Sequence, residues 1–273
     1  MESENNASHT IPDSGQQQSG MSEEFLKQTY LWFEQFRMWG PSAEHVTSSL
    51  FSLLNMQQGC TVFDLGCGCG ANTLVLAKAG ATVYAMDVYG PGLELLNTYA
   101  KQEGVDDRIT TKCLSMDAVS EIAEQCGKAD IIWSEGAIYN VGFENGLTLW
   151  RELLKEKGWV VVSETCWLTD TPPEEVKAFW DASYPDVRSI YECVQVGERC
   201  GYECRGTFIL PSSAWEAYCA PQRAMIEKHR ALHRENKESE FSAEFLDMNE
   251  KEIKIFDTYM DAFGYVFFLF RLL

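Results

Sequence analysis

Val62-Phe63-Asp64-Leu65-Gly66-Cys67-Gly68-Cys69-Gly70 runs straight into Ala71-Asn72-Thr73-Leu74-Val75-Leu76-Ala77. It reads as a short buried strand, a glycine turn and the first turns of a helix. Glycines at alternate positions let the chain turn tightly and leave no side chain where a ligand must approach the backbone. The helix behind the turn opens with unpaired N–H groups, which suit a polar or negatively charged group.

Outward from this stretch, strand and helix alternate. Strand Thr61–Leu65 leads to helix Asn72–Ala79, and strand Ala81–Asp87 to helix Gly92–Glu103. Pro91 near the start of that helix and Gly104 past its end are the expected asymmetry. Strand Arg108–Leu114 precedes helix Ala118–Gln125, strand Asp130–Ser134 precedes helix Glu144–Glu156, and Gly158 turns into strand Trp159–Glu164. This rhythm predicts an α/β protein with a parallel sheet covered on both faces. Two late strands, Tyr202–Leu210 and Gly264 to about Leu272, lack such crossovers and predict an antiparallel edge.

The flanks carry helices. Phe25, Thr29, Trp32, Phe33 and Phe36 recur at helical spacing, Gly40-Pro41 breaks the pattern, and Ser42 is placed to cap a second helix through about Leu54. Thr171-Pro172-Pro173-Glu174 has the letters of a capping box. Helices are predicted near Pro173–Ala182 and Ser189–Glu198, and the charged stretch Pro211–Ala262 reads as a helical insertion. Residues 1–22, rich in Ser, Asn and Gln, read as a disordered tail, 23–56 as a helical cap, and 57–273 as the main domain with its insertion at about 211–262.

The formal net charge of −19 over 273 residues excludes duplex DNA or long RNA as a natural partner, since a strongly acidic surface repels phosphate backbones. No run of about eighteen apolar residues suggests a membrane span. Ten cysteines without a secretion signal read as reduced thiols, and the expected location is cytoplasmic.

Gly66-x-Gly68-x-x-Ala71 also satisfies a loosened dinucleotide fingerprint, so the turn alone leaves an NAD-type oxidoreductase open. Three acids shift the balance. Asp64 sits two residues before the first glycine, Asp87 closes the second strand where a carboxylate can hold both ribose hydroxyls, and Asp117 follows the third strand at the rim of the same crevice. Three carboxylates around one pocket suit a cationic ligand better than a pyrophosphate.

On these residues the sequence resembles the class I S-adenosylmethionine-dependent methyltransferases, over roughly Leu53 to Glu164. Asp64, Gly66, Gly68 and Gly70 meet the family's Asp-x-Gly-x-Gly-x-Gly pattern in full. The loop Trp133–Gly142, and Tyr202 onward with Leu210-Pro211, Trp215 and Tyr218, resemble the small-molecule, ubiquinone/menaquinone-biosynthesis-like group. The resemblance implies a Rossmann-like, seven-stranded, mainly parallel sheet with an antiparallel edge strand and helical lid elements. It implies S-adenosyl-L-methionine as methyl donor, with Asp64, Gly66, Cys67 and Gly68 at its methionine part, Asp87 at the ribose, and Met116, Asp117 and Ala118 at the adenine.

Methyl transfer from a sulfonium is an in-line displacement with an activated leaving group. Positioning supplies about 7–11 kcal/mol of barrier reduction, and a general base roughly 10²–10⁴-fold in rate, so a missing catalytic triad counts for little. Glu135 and Tyr139, after the fourth strand, are the acceptor-facing candidates, and Glu135 is also a candidate cofactor contact. Glu164 and Trp167 hold the equivalent place after the fifth strand. Trp32, Phe36, Trp39, Trp215 and Tyr218 are expected to line the acceptor pocket. A small-molecule acceptor is the expected partner, a second copy of the chain an admissible one, and a non-catalytic donor-binding protein the other reading. His229 and His233 read as part of a solvated helix. Cys193, Cys200, Cys204 and Cys219 match no metal pattern, although arsenite-methylating relatives hold arsenic with cysteines.

Overall fold

A computed structural model describes residues 22–273. The expected tail falls outside this range except for Ser22, whose side chain accepts the Phe25 N–H and so caps the first helix.

Helices α1 (Glu23–Glu34) and α2 (Glu44–Leu53) precede a regular alternation: β1 (Thr61–Leu65), α3 (Ala71–Lys78), β2 (Thr82–Asp87), α4 (Gly90–Glu103), β3 (Ile109–Cys113), α5 (Val119–Cys126), β4 (Ala129–Ser134), α6 (Phe143–Trp150) and β5 (Leu154–Trp167). Then follow α7 (Glu174–Ser183), the two-residue β6 (Arg188–Ser189), α8 (Ile190–Arg199), β7 (Tyr202–Ile209), α9 (Ser212–Arg234), α10 (Ala243–Tyr259) and β8 (Phe263–Leu272).

The strands form one sheet in the order β3-β2-β1-β4-β5-β8-β7, with β6 beside β5. The first five strands pair in parallel, whereas β8 runs antiparallel to both β5 and β7. This is the mixed sheet with an antiparallel edge that the sequence predicts. From β1 the chain steps outward to β2 and β3, then returns to β4 on the other side. That reversal opens a crevice beyond the carboxyl ends of β1 and β4, the place where open α/β sheets hold ligands.

Side chains alternate across the sheet. Val62 of β1 and Phe263, Phe267 and Leu269 of β8 join a core with α1, α2, α3, α4, α9 and α10. Phe63 and Leu65, with Val266, Phe268 and Phe270, join a second core with α5, α6 and α8. Helices α9 and α10, which occupy the stretch read as an insertion, therefore pack on the sheet face that carries the N-terminal helices.

Three local expectations are corrected. The helix expected over Glu144–Glu156 ends at Trp150, and a 3-10 turn (residues 151–153) carries the chain into β5 at Leu154. Lys155, Glu156 and Lys157 have helical propensity, but Lys157 adopts φ 56° and the backbone at Gly158 runs close to the Asp130 carbonyl, so sheet pairing wins. Ser42 caps nothing: Ala43 is the N-cap of α2, without a side-chain bond, and the Ser42 hydroxyl is committed elsewhere. Pro173, also without a cap bond, starts α7, and the real capping box is Ser189 with Glu192 at α8.

Gly197 on α8 shows how tightly the layers meet, because a Cβ there would stand 2.2 Å from the Phe270 ring. Alanine in a helix interior normally gains about 1 kcal/mol over glycine, whereas overpacking costs roughly 1–3 kcal/mol. Gly197→Ala is therefore expected to lower the midpoint of thermal unfolding, and a raised midpoint would show that α8 does not press on β8 as described.

Candidate active site

The glycine turn is built by backbone constraints. Gly66, Gly68 and Gly70 have φ of 77°, 55° and 82°, a region that side chains disfavour. A Cβ at Gly66 would lie 2.5 Å from that of Ala137, and one at Gly68 would lie 3.1 Å from the Trp39 ring. The Gly66 and Cys67 amides donate to the Met86 carbonyl at 2.8 and 3.1 Å, tying the turn to the end of β2.

The first two acids lie at the ends of neighbouring strands and face the same cleft of about 1110 Å³. That volume exceeds the roughly 300–1,000 Å³ of an ordinary small-molecule site, leaving room for a nucleoside and a second molecule. Asp87 accepts the Gly68 N–H on Oδ2 at 2.8 Å and the Tyr89 N–H on Oδ1 at 2.9 Å. Each oxygen keeps a lone pair for another donor. Burial pushes the Asp87 carboxyl up, and those two amides oppose the shift. Asp64, 3% exposed, accepts the Thr73 hydroxyl at 2.5 Å. Burial raises it to about 7, against the Thr73 bond and with help from the charges of Glu135 and Asp87.

At the rim, Asp117 is exposed and accepts the Ser115 hydroxyl. Met116 also lines the cleft and reaches back to Gly66, while its carbonyl accepts the Trp150 indole N–H at 2.8 Å. Ala118 stands just beyond the lining, with its N–H given to the Ser115 carbonyl.

Glu135 forms the wall after β4. Its Oε1 accepts Trp133 Nε1 at 2.7 Å and the Thr47 hydroxyl at 2.9 Å, and its Oε2 accepts the Ser42 hydroxyl at 2.9 Å. Burial pushes its carboxyl up while these three donors hold the charged form. Tyr139 follows on a 3-10 turn (residues 138–140) and also lines the cleft. Its ring packs edge-on against Tyr184 at 5.9 Å, and burial raises its hydroxyl.

Among the described residues, Arg37 is the one basic side chain of the lining, and it is committed to Glu103 and to the face of Tyr99. Of the five carboxylates of the lining, Asp186 is paired to Arg188, and the other four (Asp64, Asp87, Asp117 and Glu135) face no free cation. This donor set fits a cationic nucleoside and opposes a pyrophosphate.

Comparison with known proteins bears on the fold. Residues 62–158 match a family described as "Methyltransferase domain". A methyltransferase structure from Geobacter sulfurreducens, solved with S-adenosyl-L-homocysteine, superposes with TM-score 0.75 over 89% of this chain and 97% of its own, at 20% identity. One from Thiobacillus denitrificans, also with S-adenosyl-L-homocysteine, gives 0.74 over 93% and 99%, at 19% identity. The chain shares the fold of these methyltransferase structures. Among curated relatives, the ubiquinone biosynthesis O-methyltransferase of Bordetella avium is 26% identical over 137 residues, 46% of this chain and 55% of that protein. The chain spans about half or less of the length of the curated relatives it matches.

Within this methyltransferase fold, several expected lining residues lie elsewhere. Trp32 is 1% exposed, donates to Gln222 Oε1 at 3.0 Å and packs on Phe241 and Phe245, so it belongs to the core. Phe36 packs on Trp32, and Trp215 is buried against Phe256 and Phe263. Aromatic spacing along a helix cannot separate a core face from a pocket face. Trp39 does line the cleft, beside Tyr30, which sequence reasoning missed and which stacks on Tyr89 at 4.1 Å. The holders of Glu135 on α2 were missed too, because nothing local marks Thr47 for a partner 88 positions away.

His229 is no solvated residue: it is 3% exposed, bonds Ser239 at 2.9 Å and packs on Phe241. The cysteines named above are dispersed, with Cys193 beside Cys166, Cys200 near Thr148, Cys204 bonded to Gly206 and Cys219 in the other core. Among the described residues no group of three or more His, Cys, Asp and Glu is arranged to hold a metal.

The raised Asp64 carboxyl ties stability to pH. Its folded value of about 7 lies above the ordinary 3.8, so the folded state holds a proton that the unfolded chain releases. Its contribution is fully present below about pH 4 and fades as pH rises toward 7. Relative to wild type, Asp64→Asn is expected to gain about 1–4 kcal/mol of stability between pH 4 and 8, read from urea unfolding at each pH. A constant difference across that range would show that Asp64 ionises freely in the folded protein.

Proposed function

We propose that the protein transfers a methyl group from S-adenosyl-L-methionine to a small organic acceptor. The observation that carries this reading is one cleft, at the switch point of the sheet, combining the glycine turn with four carboxylates and no uncommitted basic group. Bound there, S-adenosylmethionine supplies a methyl group on a sulfonium, and its transfer to the acceptor leaves a neutral thioether.

The chain's own residues then take distinct tasks. Gly66, Cys67 and Gly68 let the methionine part approach the backbone, with Asp64 behind them. Asp87, pinned by two amides, receives the ribose hydroxyls. Met116 and Asp117 border the adenine, with Ala118 just beyond them and its N–H already given to Ser115. Glu135, steadied by Trp133, Thr47 and Ser42, faces the cleft as a fixed negative charge that favours the sulfonium end. Tyr139 orients the acceptor and shields it from water.

The acidic surface supports a small-molecule rather than a nucleic-acid acceptor. No helix among the described residues is long and apolar enough to cross a membrane, and all ten cysteines are free, which supports a cytoplasmic setting. A homodimer is compatible with this reading, which needs only one chain per site.

Isothermal titration separates the readings. S-adenosylhomocysteine is expected to bind at micromolar level with no heat from NAD, and Asp87→Ala to weaken binding at least about 30-fold, the loss of roughly 2 kcal/mol of charge-assisted hydrogen bonding. NAD binding without S-adenosylhomocysteine binding would overturn the proposal. Turnover of a labelled donor with a metabolite pool, followed by mass spectrometry, then distinguishes an enzyme from a binding protein.

A further inference from the structure

Behind Tyr139, five elements bring polar and aromatic groups together, and because Tyr139, Tyr218, Glu252 and Tyr265 each keep part of their surface open, a recess is left between them. Tyr265 of β8 lies against the loop after β4: its ring edge would stand 3.3 Å, and its hydroxyl 3.6 Å, from a Cβ on Gly136. Tyr265 packs on Trp215 of α9 at 5.2 Å, and Tyr218 projects one turn further along α9. Trp215 packs on Phe256 of α10 at 5.0 Å, and Glu252 lies one turn before Phe256 on that helix. On the other flank, the Tyr184 ring meets Tyr139, and its hydroxyl donates to Glu164 of β5 at 3.2 Å.

Glu252 is the anomaly. It shares the inward face of α10 with buried Asn249, Ile255 and Phe256, yet no hydrogen bond or ion pair of its carboxylate is found among the described residues. An unpaired carboxylate in such a place is costly unless something cationic visits it. Burial alone raises it to about 7. Glu252 and Glu164 both raise the hydroxyls of Tyr139 and Tyr265, so all four groups share one field. Arg188 is the cation acting on Glu164 and Tyr184, and it is paired to Asp186 at 2.7 Å.

We propose that this recess, walled by Tyr139, Tyr218 and Tyr265 and closed by Glu252, is the acceptor pocket and that it takes a small amine as its ammonium ion. The assignment rests on the methyltransferase reading of the neighbouring cleft and names its substrate class. Ring faces attract a cation, and Glu252 supplies the opposite charge. Anionic acceptors are disfavoured by Glu252 and Glu164, and Arg188, the cation acting on Glu164, is already paired to Asp186. For a protonated amine, one N–H proton passes to the Glu252 carboxylate and frees the nitrogen lone pair. An N–C bond then forms to the methyl group as the C–S bond breaks, its electron pair remaining on sulfur.

The test uses the full chain saturated with S-adenosylhomocysteine and three probes of one shape: choline, neutral 3,3-dimethylbutan-1-ol and anionic 3,3-dimethylbutanoate. Choline is expected to bind at least about tenfold more tightly than the neutral isostere, with no binding of the anion. Glu252→Gln should bring choline and the alcohol within about threefold of each other while leaving S-adenosylhomocysteine affinity unchanged, which also reports an intact fold. If Glu252→Gln does not fold, Tyr265→Leu, which removes a ring face, replaces it and should also reduce the preference. Equal binding of the three probes, preference for the anion, no binding of any probe, or a charge preference that survives the substitution would each overturn the proposal. Failure to bind S-adenosylhomocysteine would instead defeat the methyltransferase reading on which it stands.

Discussion

The Gly68 amide donates to the Asp87 carboxylate at 2.8 Å, and that bond joins the loop leaving β1 to the end of β2. Without it the glycine turn would be a mobile loop, because glycine loses more freedom on ordering than any other residue. With it, and with the Met86 carbonyl holding Gly66 and Cys67, the turn becomes a rigid floor. Trp39 can then rest on Gly68, and Met116 can reach Gly66. The same bond holds the Asp87 carboxylate at the cleft, so one contact orders both the floor and the carboxylate proposed to meet the ribose.

Electrostatics follow from this scaffold. Parallel strands end side by side at the switch point, so acids placed at their ends share one partly buried space. Burial raises Asp64, Asp87 and Glu135, and the mutual charge of Asp64, Asp87 and Glu135 adds to the effect at Asp64. Such a site gains by admitting positive charge and loses by admitting phosphate. The deeper recess repeats the logic with Glu252 and Glu164, both raised to about 7 by burial. On the proposed reading the cofactor and acceptor sites draw on one design, in which carboxylates gather in a partly buried space and most are held by hydrogen-bond donors rather than by cations.

What could be read from the sequence was what is local. The β1–α3 turn, the alternation through β5 and the antiparallel β8 follow from glycine placement and periodicity, and spacing alone puts Asp64 and Asp87 at strand ends and Asp117 on the loop after β3. What was hidden depends on contacts far apart in sequence. Lys155–Gly158 looks helical until the Asp130 carbonyl and the β4 register draw it into the sheet. Ser42 looks like a cap until Glu135, 93 positions away, claims its hydroxyl. Trp32 looks like a pocket wall until α9 and α10 fold over it, and Trp215 until Phe256 of α10 and Phe263 of β8 enclose it. Glu252 gave no local signal because charge on a charged helix is ordinary.

The central claim is that the carboxylates of β1 and β2 frame a sulfonium nucleoside at the glycine turn. A crystal structure of the full chain grown with S-adenosylhomocysteine tests it most directly. The account predicts ribose hydroxyls on Asp87, the adenine beside Asp117 and the sulfur facing Tyr139. A nucleoside seated elsewhere, or an Asp87 carboxylate turned away from it, would contradict the account.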